Sequence, residues 1–140
     1  MKHAAFKMTP FQHCMNPIIC IGWSDGIFKD EELDDLKSSA IKLASWFNIS
    51  EEQAWKECHE LFQHISNQLS SDSRFIYLKV PISCAEIHKN LQSEEGRDYV
   101  IWFMEDQATV DGKLTDDERQ LISMYSTIIR QGGESVGIYV

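Results

Sequence analysis

One hundred and forty residues, 43% hydrophobic and 25% charged, suffice for one hydrophobic core and leave little material for a second. Seven glycines and three prolines exclude collagen-like and low-complexity chains. The formal charge of -9 repels phosphate backbones and anionic lipid, so nucleic acid is excluded as a partner while cations and basic proteins are favoured.

In chain order, Phe11, Cys14, Met15, Ile18, Ile19 and Gly22 keep helical spacing. Pro17 must either kink this first helix or start it, with Asn16 as the cap. Leu33, Leu36, Ala40, Leu43, Ala44 and Phe47 form one amphipathic stripe, which predicts a helix over Asp30 to Asn48. Ser50-Glu51-Glu52-Gln53 is a capping box in which the serine accepts from the N3 amide and Gln53 reaches back to the cap. The stripe Ala54, Trp55, Cys58, Leu61, Phe62, Ile65, Leu69 then runs to the polar break Ser70 to Ser73.

Phe75 to Val80 is short and strand-like in composition, with no partner of its kind, and reads as an extended connection or a helix start before Pro81. Ile82 to Leu91 is a short helix, and Ser93 caps another through Tyr99, Trp102 and Phe103, an aromatic run assigned to the core. Asp116 to Arg130 is the last helix, ended by Gln131-Gly132-Gly133. The expectation is an all-α single domain over 1–140, its core about 10–130 and a short tail from 132, with six to seven helices. No apolar run reaches membrane-spanning length and the N-terminal segment lacks a signal-peptide pattern, so a cytoplasmic chain without direct membrane insertion is expected. The four cysteines, Cys14, Cys20, Cys58 and Cys84, show no C-x-x-C pair and read as reduced, buried thiols.

The chain repeats itself. Asp25-Gly26-Ile27-Phe28-Lys29-Asp30-Glu31-Glu32 matches Asp111-Gly112-Lys113-Leu114-Thr115-Asp116-Asp117-Glu118, each copy between an apolar helix and an amphipathic one. This predicts two helix-loop-helix halves related by an approximate twofold. The spacing echoes the latter half of a calcium loop, but Ile21, Trp23, Gln107 and Thr109 stand where the first acids would be needed, which rejects an EF-hand.

These paired motifs resemble those of the TerB-like tellurite-resistance domain, also found at the start of some membrane-anchored J-domain co-chaperones. The resemblance covers roughly residues 10 to 130 and implies a compact helical domain in a tellurite or chemical-stress response, with protein partners from that system. It also implies a divalent-cation site whose ligands would be Asp25, Glu32, Asp111 and Glu118. All-oxygen ligands select calcium, magnesium or manganese. Lys29 stands where the second copy has Thr115, so the first motif lacks a capping hydroxyl. The competing reading is structural: acids in a first helical turn are favoured by the helix dipole without any metal.

No nucleophile, base and orienting group stand at catalytic spacing, so a binding or sensing module is expected rather than an enzyme. Two alternatives stand beside it. One is a thiol-dependent redox or detoxifying enzyme using Cys58 or Cys84; the other is an interaction domain whose acidic face docks a basic partner. Pairs such as Cys84 with His88, or His13-Cys14 with Cys20, lack the spacing of a tetrahedral metal site.

Overall fold

The computed structural model describes residues 6–23, 28–71, 79–110 and 114–137. Six α-helices are found among them: α1 (Pro10–Trp23), α2 (Asp30–Ala44), α3 (Glu51–Ser71), α4 (Val80–Asn90), α5 (Glu94–Thr109) and α6 (Asp116–Gln131). Short 3-10 turns follow α2 and α6, and the described residues contain no strand. No helix among them is long and apolar enough to cross a membrane.

The first helix is the hub of the core. Eleven of its fourteen residues are buried, as befits a helix apolar on nearly every side, and it packs against each of the other five. It begins at a capping box that the sequence reading overlooked: Thr9 Oγ1 accepts from the Gln12 amide at 3.1 Å, and Gln12 Oε1 accepts from the Thr9 amide at 3.0 Å. Pro10 then takes the first helical position, where its missing N–H costs nothing. Pro17 therefore lies inside the helix rather than at its start, and Asn16 is a buried polar residue instead of a cap.

Other starts and stops follow from local chemistry. Ser50 accepts from Gln53 N at 3.0 Å as expected, but the Gln53 amide reaches Glu57 Oε2 at 2.9 Å instead of returning to the cap. That bond uses Gln53 Nε2 as donor to a carboxylate one turn ahead, a charge-assisted bond stronger than a neutral one. The second helix stops at Ala44, four residues short of the expected end, and the chain leaves through a 3-10 turn into Asn48 at φ 54°, a left-handed position that asparagine tolerates. The fourth helix starts at Val80, two residues early, with Pro81 in its first turn. Phe75 to Leu78 of the ambiguous segment lie outside the described residues.

At the other end of α6, Gly132 takes φ 91°, and a Cβ there would sit 3.1 Å from the His88 ring. His88 Nδ1 bonds Ile129 O at 2.9 Å, pinning α4 to the last turn of α6. The Cys84 and His88 pair is thus divided between a buried core thiol and an interhelical clip.

Candidate functional site

Two helices carry the site. Gln107, near the end of α5, donates through Nε2 to Glu32 O in the first turn of α2 at 3.0 Å. At the opposite end of the pair, Trp46 and Tyr99 have ring centroids 5.8 Å apart. Residue numbers fall on one helix as they rise on the other, so α2 and α5 lie antiparallel. The C-terminal end of α5 therefore lies beside the N-terminal end of α2.

Of the four residues singled out as metal ligands, Asp25 and Asp111 lie outside the described residues. Glu32 and Glu118 are described and are closely alike. Each is the third residue of its helix, is nearly buried at 4% and 7% exposure, and folds its carboxylate back onto the preceding backbone. Glu32 Oε1 accepts from Lys29 N at 3.1 Å, and Glu118 Oε1 accepts from Thr115 N at 3.0 Å. Only the second motif closes the reciprocal arm, with Thr115 Oγ1 accepting from Glu118 N at 3.1 Å. A lysine ammonium has no acceptor to offer, so the first copy is half a capping box. The structural reading is thus realised at both glutamates, each of which caps the start of its own helix.

The sequence reading missed what lies beside them. Asp35, one turn further along α2, hydrogen-bonds Asp106 on α5, and its carboxyl is pushed up to about 7 by burial first, then by that bond and by the Asp106 charge, with Lys42 opposing. Asp35 Oδ2 is buried and finds no donor among the described residues. Gln107, 1% exposed, spends its Nε2 on Glu32 and leaves Oε1 buried with no partner. Hard cations take carboxylate and amide oxygens of this kind. Among the described residues, however, no three His, Cys, Asp or Glu side chains are grouped so as to hold a metal ion.

The thiols are placed far from such chemistry. All four cysteines are buried, and burial pushes Cys58 up to about 12 and raises Cys14, Cys20 and Cys84 as well, with Cys20 and Cys14 adding to the effect on Cys84. A thiol so raised is a poor nucleophile at neutral pH. His13 is occupied as well: its Nδ1 lies 3.0 Å from Ser83 Oγ, which also accepts from Asn16 Nδ2 at 2.8 Å. Ser83 is itself buried, so the His13 and Ser83 contact ties α1 to α4 without facing a substrate.

The aromatic run on α5 departs from expectation. Phe103 is buried, but Tyr99 and Trp102 are 43% and 52% exposed. Val100, Phe103, Met104 and Gln107 take the inward face of α5, and the spacing of Tyr99 and Trp102 turns them outward. They line a groove of about 1050 Å³ together with Lys42, Ser45, Trp46, Glu94, Glu95 and Asp98.

Compared with known proteins, the chain matches no family model, no curated protein and no solved structure.

Proposed function

We propose that this chain is a helical binding module of a chemical-stress response, TerB-like in kind, that takes up a divalent cation where its two Asp-Gly motifs meet. The Gln107 to Glu32 hydrogen bond supports the reading, because it joins the end of α5, which the second motif follows in sequence, to the start of α2, which the first motif precedes. Two carboxylates from one copy would leave most of a calcium or manganese shell to water; two copies supply four, from Asp25, Glu32, Asp111 and Glu118. The capping bond of Glu118 uses one carboxylate oxygen, and the buried Gln107 Oε1, which has no hydrogen-bond partner among the described residues, is a neutral oxygen of the type these ions accept. The burial of every thiol argues against the detoxifying-enzyme alternative.

The test is thermal unfolding of chelator-treated protein with added calcium, magnesium or manganese. A bound ion raises Tm by mass action, by an amount that grows with the logarithm of concentration, and the rise shrinks for Asp111→Asn and Glu118→Gln. A Tm unmoved by millimolar divalent ion removes the cation site and leaves the motifs as helix caps. Survival of tellurite-exposed bacteria with and without the expressed chain tests the stress assignment separately.

A further inference from the structure

The geometry points to the groove between the C-terminal end of α2 and the N-terminal half of α5 as a docking site for an arginine-rich segment of a protein partner. This surface lies at the opposite end of the α2 and α5 pair from the Gln107 to Glu32 bond and does not rest on the cation reading. Its floor is aromatic: Trp46 meets Tyr99 at 5.8 Å, Tyr99 stacks on Phe103 at 6.1 Å, and Trp102 meets Phe103 edge-on at 5.3 Å. Leaving a tryptophan 52% exposed and a tyrosine 43% exposed on neighbouring turns of one helix is unfavourable for a surface that stays wet, and aromatic side chains are the residues that anchor interfaces.

Charge decides the occupant. Glu94 and Glu95 stand on the rim with no ion-pair partner among the described residues, while Asp98 is engaged by Arg130 at 3.3 Å. The chain carries -9 overall, which disfavours nucleic acid and acidic peptides. One cation is already drawn to the floor: Lys42 Nζ lies 6.0 Å from the centre of the Trp102 ring. The ring face therefore works as a cation seat, and a guest must displace a lysine to use it. Guanidinium suits this better than ammonium, because it stacks flat on an indole and can still pair side-on with a carboxylate. The volume of about 1050 Å³ exceeds what one small ammonium ion would fill, so a stretch of peptide fits the dimensions better.

The experiment is fluorescence anisotropy with a labelled arginine-rich nonapeptide and a glutamate-rich control. Binding of the arginine peptide alone, weakened by salt, is expected. Trp102→Ala should weaken it about tenfold, a loss in the range of a desolvated cation–π contact. Glu94→Gln with Glu95→Gln should weaken it and flatten its salt dependence, and Lys42→Ala should tighten it by removing the resident cation. Glu51→Gln with Glu52→Gln on α3, exposed acids outside the groove, should leave it unchanged. Equal binding by wild type and Trp102→Ala, equal loss in the α3 control, or displacement of the peptide by millimolar tetramethylammonium overturns the proposal. Circular dichroism melts of each variant separate a lost contact from a lost fold.

Discussion

Asp35 on α2 and Asp106 on α5 meet as two carboxyl groups across a helix pair, and burial together with this contact lifts Asp35 to about 7. Two ionised carboxylates at hydrogen-bond distance repel, so the pair is most comfortable holding one proton.

Stability should therefore depend on pH in a defined sense. Asp35 binds its proton more tightly in the folded protein than in the unfolded chain, whose carboxyl sits near the ordinary value of about 4. Between about pH 4 and the folded value of about 7, the folded state holds more protons. Stability contributed by this group is full below that window and falls as pH rises through it. Denaturant midpoints measured from pH 4.5 to 8 should show this decline superimposed on the other titrations. Asp106→Asn, which keeps a hydrogen-bonding partner and removes the charge, should flatten it and raise stability at pH 8. An unchanged slope in Asp106→Asn would show that the pair does not share a proton.

Little of that pair could be read from the sequence, and the reason is geometric. Asp35 and Asp106 are distant in the chain, and each sits in an acidic stretch where a solvated helix face is the ordinary reading. The stripes fared better because they are local: Leu36, Ala40 and Leu43, or Leu121, Tyr125 and Ile128, are all buried as their spacing requires. The same local rule failed at Trp102, since an aromatic side chain is counted as apolar whether it faces inward or lines a groove. Pro17 was ambiguous until Thr9 and Gln12 supplied an earlier start, two polar residues outside the stripe whose reciprocal bonds are the signal that would have settled it.

The two motif copies also pack differently, which gives a second prediction. A Cβ built on Gly22 would fall 2.3 Å from the Phe28 ring, which is wedged against Trp23 and Phe62 at 5.4 and 5.0 Å. In the second copy the corresponding residues are Ala108, which is buried, and Leu114, which is exposed. The absent side chain at Gly22 thus makes room for a ring that the second copy lacks. Gly22→Ala should destabilise by about 1–3 kcal/mol, the usual cost of overpacking. Adding Phe28→Leu should recover part of the loss in the double variant. An additive outcome in chemical denaturation would break the link between the two positions.

Capping should be lopsided as well. Thr115 both accepts from Glu118 N and receives the Glu118 carboxylate on its own amide. Thr115→Ala should cost about 1 kcal/mol, as removal of an N-cap hydroxyl does. Lys29 supplies no side-chain cap, so Lys29→Ala removes no such bond and should leave the start of α2 protected. Amide exchange of the first turns of α2 and α6 would read the difference, with faster exchange confined to α6 in Thr115→Ala.

Thiol chemistry provides the last expectation. Cys14, Cys20, Cys58 and Cys84 are each at most 1% exposed, and the thiolate, which is the reactive form, is suppressed by burial at all four. Access then requires opening of the structure, and modification should follow the opening equilibrium rather than the titration of a free thiol. Native protein at pH 7 should react with an aromatic disulfide reagent orders of magnitude more slowly than the denatured chain, in which thiols have their ordinary value of about 8.5. The native rate should climb with sub-denaturing guanidinium. A single cysteine that reacts within seconds in the native protein would instead mark a depressed, accessible thiol and would return the redox-enzyme alternative, with Cys58 or Cys84 as its nucleophile, to consideration.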